Sequence, residues 1–199
     1  MDAGAQEVLE YWFAGDGAAR GARWYGKDPA LDADIRSRFG ERIEQASRGV
    51  LDTWRSSARG TLALLIVLDQ LRRNAFRGTP DAFAEDPRAL SLCDKLMAGG
   101  RDRELSFTER FVAYHPLIHA ESAAAQRRGV EAYRELLDEA TAAGVTGQEL
   151  GGLRSALEFA ERHAAIIERF GRFPHRNAVL GRASTPEEEV FLQEPGSSF

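Results

Sequence analysis

The chain has 199 residues, 43% of them hydrophobic and 29% charged, with a formal net charge of -5 and a sequence pI of about 5.5. This composition suits a single globular domain (1–199) with a sizeable core. The acidic balance argues against a general nucleic-acid or anionic-membrane binder, since both need a basic footprint.

The longest apolar run, Leu62 to Leu68, is far short of the ~20 residues needed to cross a bilayer. Cys93 is the only cysteine, which rules out an intrachain disulfide and fits a reduced, cytoplasmic setting. Met1-Asp2 opens no basic and then apolar leader.

Helix signals dominate in chain order. Val8, Leu9, Trp12 and Phe13 recur at helical spacing, and Gly15 and Gly17 end that element. Asp28-Pro29 reads as a cap followed by proline in the first turn. Leu31, Ile35, Phe39, Ile43 and Ala46 then share one face, and Gly49 stops the helix. Leu62–Leu68 is apolar all round, which places it at the centre of the domain as a helix. A buried strand is the alternative, but Asp69-Gln-Leu-Arg-Arg73 continues in good helix formers. Thr79-Pro80 opens a helix through Met97. Ser106-Phe-Thr-Glu109 and Thr146-Gly-Gln-Glu149 read as capping boxes. Pro116 breaks the helix that starts at Ser106. Further helices are expected over 118–143 and 150–170, with a short one capped by Thr185-Pro-Glu-Glu188. No alternation of period two points to a sheet. The expectation is an all-α domain of about eight helices, packed as antiparallel pairs.

Asp69 ends the apolar run, where a lone carboxylate is costly to bury. Arg72 and Arg73 lie within helical reach of it. Two readings stand: a structural ion pair, or a carboxylate that orients an arginine toward a ligand. His119, Glu121 and Gln126 follow the break at Pro116, with His119 and Gln126 on one face of an unbroken helix. Their spacing, with that of His115, matches no zinc or carboxylate-bridged metal motif, so no metal or cofactor is expected. His163 lies on the stripe of Leu153, Ala156, Ala160 and Ile167. It is either a core histidine with one hydrogen bond or an acid–base group in a dry environment. Trp12, Trp24, Tyr25 and Trp54 are core residues or pocket walls.

Phe170 to Arg182 interleaves apolar residues with Arg172, His175, Arg176, Asn177 and Arg182. Guanidinium groups hold carboxylate or phosphate in a fork. The same arginines can instead neutralise Glu187, Glu188 and Glu189.

Several strings carry a family likeness: Val8-Leu-Glu-Tyr-Trp-Phe13, Leu68-Asp-Gln-Leu-Arg-Arg-Asn74, His119-Ala-Glu121, Phe170-Gly-Arg-Phe-Pro-His-Arg-Asn177 and Leu180-Gly-Arg182. Together they resemble the bacterial domain-of-unknown-function family number 924 over essentially the whole chain. The resemblance implies a helical, tetratricopeptide-like fold and no established activity. Arg72 and His115 depart from the family pattern at Asp69–Asn74 and Tyr114–His119.

The functional expectation is a site for a small anionic or polar ligand. Arg73, His163, Arg172, Arg176, Asn177 and Arg182 would bind it. Asp69 and Glu121 would orient these groups, and His119 or His175 would move protons. The rivals are an acid–base or hydrolytic enzyme and a scaffold that captures a peptide. Membrane and nucleic-acid partners are not expected. The terminal Phe199 is expected to insert into the fold with its carboxylate against an arginine.

Overall fold

The structure is a computed structural model that describes residues 1–198; the expectation for Phe199 lies outside them. Among the described residues there is no strand, and the all-α class holds. The first helices are α1 (Ala3–Phe13), α2 (Gly17–Tyr25) and α3 (Pro29–Ser47). Asp28 caps α3 by accepting the Ala30 N–H at 2.9 Å, with Pro29 in the first turn. Helix α2 was not expected. Asp16 caps it by accepting the Ala19 N–H, so Gly17 begins a helix and does not end one.

The central helix is α4 (Ala58–Leu65), continued by a π-helical stretch (Ile66–Leu71) and α5 (Arg72–Ala75). Every side chain from Leu62 to Leu68 is buried, as the unbroken apolar run requires. Helices α1 and α3 pack around it, with α6 (Asp86–Ala98) and α7 (Phe107–Ala113) on its other sides.

The single helix expected over 80–97 is two elements, a 3-10 turn (Pro80–Phe83) and α6. Pro87 explains the division. It has no N–H and its ring clashes with the carbonyl four residues earlier, so the helix must restart with proline in its first turn.

Pro116 does split the next region, into α7 and α8 (His115–His119). The following helix begins later than expected, as α9 (Ala123–Ala142), because the chain is extended at Ala120 and at the cap Ser122. His119 and Gln126 therefore sit on different helices. Gln126 instead donates to the carbonyls of Ile118 (2.7 Å) and Ala120 (2.8 Å), which satisfies the end of α8. Helix α10 (Gly147–Phe170) runs back along α9 after a short turn. The capping box expected at Thr146 does not form. Gly147 adopts a left-handed backbone (φ +64°), and Glu149 accepts from the Thr108 hydroxyl instead. The box at Ser106 does form, and the short helix expected after Thr185 is α11 (Pro186–Phe191), which Thr185 and Glu188 open with a capping box as well.

Between α10 and α11 the chain crosses the domain as a strap that includes a 3-10 turn (Pro174–Arg176). Gly171, left-handed at φ +71°, turns the chain out of α10. Ile166, Ile167, Phe173 and Phe191 then form a small apolar cluster that seats the strap.

Helices α8 and α9 approach closely because Gly129 has no side chain. A Cβ there would lie 2.8 Å from Ile118 Cγ2 and 3.2 Å from Leu117 Cβ. Gly129→Leu is expected to destabilise the fold by about 2 kcal/mol or more, read as a lower urea midpoint; an unchanged midpoint would show that α8 is not held this tightly.

Candidate functional site

A cavity of about 940 Å³ opens between the central helix, α2, α8, α10 and the strap. Its lining follows helical periodicity. Gln70, Arg73 and Asn74 recur at i, i+3 and i+4 and present one face of the central helix, and Arg77 follows from the turn just past its end. His115 and His119, four apart, present one face of α8. Gly152, Ser155, Ala156, Phe159 and His163 do the same for α10, and the strap supplies His175 and Arg176. All four histidines of the chain line this cavity. No Asp or Glu among the described residues does.

The carboxylates stand behind the lining. Asp69 is buried where the central helix takes its π-helical form, an irregularity that often accompanies functional sites. Its oxygens accept from His119 Nδ1 at 2.7 and 2.9 Å. Arg73 donates to Asp69 through Nε at 3.2 Å and to Asp86 at 2.8 Å. Gln70 donates its side-chain amide to Asp69. Asp86 in turn accepts from Arg176 at 3.3 Å. Asp69, Arg73, Asp86 and Arg176 thus form a chain of alternating charge from the central helix to the strap.

Burial alone would push the Asp69 carboxyl up, but the His119 ring and the Arg73 guanidinium more than reverse this and hold it well below the usual carboxylate range. Burial keeps His119 neutral despite Asp69. The neutral ring then carries its proton on Nδ1, facing Asp69, and Nε2 is left as an acceptor. Burial lowers His115 as well, and pushes His163 down to about 2 and His175 down to about 4. His163 donates its Nδ1–H to the Phe159 carbonyl at 2.8 Å. Asp86 is raised by burial, with Arg73 and Arg176 opposing.

Arg176 is 5% exposed. Its guanidinium lies 4.6 Å from the centre of the Phe83 ring and 4.4 Å from that of Phe173. Among the described residues its Nε has no hydrogen-bond partner. Burial lowers it to about 10, with Arg73 adding to the shift.

The predicted site residues divide into two groups. Asp69, Arg73, His119, His163, His175 and Arg176 are brought together at or directly behind the cavity. Glu121, Arg172, Asn177 and Arg182 do not line it; they hold the strap in place. Glu121 accepts from Arg182 at 2.6 and 2.9 Å and from the Phe173 N–H at 2.8 Å. Arg172 forks onto Glu188 at 2.6 and 2.7 Å, and Asn177 donates to Ser184 and Glu188. For these residues the intramolecular acidic partners account for the charge. Of the four aromatic residues considered as pocket walls, Trp24 and Tyr25 line the cavity, and Trp12 and Trp54 are core.

Asp86, Phe83, Phe111, Phe159 and Arg77 were missed. Asp86 shows in sequence only as the residue before Pro87, and Phe159 as one more apolar position on α10. Arg77 is paired with Asp32 through two bonds of 2.6 and 3.0 Å. No group of three His, Cys, Asp or Glu among the described residues is arranged to hold a metal ion. No helix there is long and apolar enough to cross a membrane.

The buried histidines make stability depend on pH. His163 and His175 titrate lower in the folded state than their ordinary 6.5, so below that value the unfolded chain binds protons that the folded chain does not. Stability is complete above pH 6.5 and falls as pH drops, by up to about 1.4 kcal/mol per pH unit for each such histidine. The check is urea denaturation at pH 7.5, 6.0 and 5.0, where His163→Gln should flatten the profile. An equal slope in the variant would overturn the assignment.

Comparison with known proteins gives a family and a fold. The family model described as "Bacterial protein of unknown function (DUF924)" matches residues 8–196. The chain is similar to a solved structure, that of the protein of unknown function ATU0120 from Agrobacterium tumefaciens. The two are 37% identical over 96% of this chain and 97% of that one, with a TM-score of 0.81. Among curated proteins there is no match.

Proposed function

Since the chain belongs to the bacterial DUF924 family, whose description carries no activity, we propose a function from the geometry: the cavity is a binding site for a small organic anion. Arg176 carries this reading. A guanidinium has five donors and is costly to bury without acceptors. Among the described residues it meets one carboxylate, which it shares with Arg73, and its Nε has no partner. An anion reaching Arg176 would supply the missing acceptors. Lys27 and Arg162, both exposed lining residues, favour the approach of negative charge.

In a thermal-shift measurement, sodium benzoate at about ten times its Kd is expected to raise Tm by about 3 °C. Benzamide, the neutral analogue, should have no such effect, and Arg176→Gln should abolish the benzoate shift. Equal shifts from benzoate and benzamide would rule the reading out.

A second reading adds acid–base chemistry and rests on the contact between Asp69 and His119. A carboxylate that fixes the Nδ1–H tautomer leaves Nε2 as a base for a bound substrate or water. If the protein hydrolyses 4-nitrophenyl acetate, His119→Ala is expected to lower the rate by about 100-fold. A rate unchanged by that substitution would remove His119 from this role.

A further inference from the structure

The ligand's chemical class can be taken further, and this step rests on the anion-binding reading. One wall of the cavity is a continuous run of rings. Trp24 lies 5.5 Å from Phe111, Phe111 lies 4.7 Å from His115, and His115 lies 5.5 Å from His119, all between ring centroids. Each of these four residues lines the cavity. The run begins on α2 and ends beside Asp69 and Arg73. There Phe83 lies under both cations, 5.1 Å from the Arg73 guanidinium and 4.6 Å from that of Arg176.

An inorganic anion or a short acid would use only this cationic end. It would leave the ring wall and most of a cavity of about 940 Å³ without a role. That volume is in the range that encloses a drug-sized ligand. Charge also limits the head group. The lining residues Arg73 and Arg176 are paired with Asp69 and Asp86, which stand behind them, so the network is balanced before any ligand enters. A dianion there would bring two uncompensated charges into a sheltered site, and a monoanion only one.

We infer that the site takes an aromatic carboxylate, with its carboxylate at Arg176 and its ring against the Trp24–Phe111–His115 wall. Ring-on-ring contact in offset or edge geometry and ring-to-guanidinium contact favour an aromatic body over a saturated one of equal size.

Isothermal titration with four probes of similar size, and with acetate and inorganic phosphate as small anions, separates the claims. Benzoate carries ring and charge, cyclohexanecarboxylate charge alone, benzamide the ring alone, and phenyl phosphate a ring with a dianionic head. Benzoate is expected to bind about tenfold more tightly than cyclohexanecarboxylate, and Phe111→Leu to remove most of that margin. Phenyl phosphate should bind more weakly than benzoate. If cyclohexanecarboxylate matches or exceeds benzoate, the aromatic assignment falls and the anion reading stands. If phenyl phosphate binds more tightly, the carboxylate assignment falls in the same way. If benzamide equals benzoate, or if neither carboxylate binds and acetate and phosphate do not bind either, the anion reading itself fails. Binding of acetate or phosphate without benzoate would overturn the aromatic class alone. All the decisive comparisons use the unmodified protein, so a variant that fails to fold does not rescue the inference.

Discussion

The Asp69 carboxylate is the constraint on which the rest of this structure depends. It sits at the end of a helix that is apolar on every side, where an isolated charge would be costly. Its partners come from its own helix, through Arg73 and Gln70, and from α8, through His119. Arg73 then passes the charge to Asp86 at the start of α6, and Asp86 passes it to Arg176 on the strap. Four separate elements are tied to one point. Removing a member of such a network leaves its neighbour buried and uncompensated, which is a larger penalty than the pair's own net contribution.

The strap shows how one residue type can have two roles within a dozen positions. Arg172 and Arg182 each fork onto a carboxylate, Glu188 and Glu121, in the bidentate geometry that satisfies a guanidinium best. They fix the path of the chain. Arg176, between them, is held by ring faces and, among the described residues, by a single shared carboxylate. The first two make the third possible: with both ends of the strap anchored, its middle can keep a cation buried with spare donors. The pinning by Glu121 is central here, because the carboxylate takes both the Arg182 fork and the Phe173 N–H at the point where the strap enters its 3-10 turn.

Parts of the site could be read from the chain itself. Asp69 and Arg73 are four apart on a helix, so their pairing follows from helical geometry. A buried histidine at position 163 follows from the apolar stripe of α10. His119 is a different case. Its residue type and the nearby proline marked it, but the partner expected from periodicity, Gln126, lies across a helix break and serves to close the end of α8. Asp86 and Phe83 had no local signal. Their importance comes from where the 3-10 turn and the restarted helix α6 place them beneath two arginines.

The amino-acid sequence by itself determined the helical class, the buried central helix, the caps at Asp28, Ser106 and Thr185, and the break at Pro116. Each of these depends on interactions within a few residues, where periodicity, capping and proline sterics act. Only the tertiary structure decided which cations face a cavity and which close a structural pair. Asp69 meets His119 across 50 positions, and Asp86 meets Arg176 across 90. Contacts at that separation arise from how helices pack, and an acidic chain offers each arginine many local carboxylates, so composition and spacing cannot select among them.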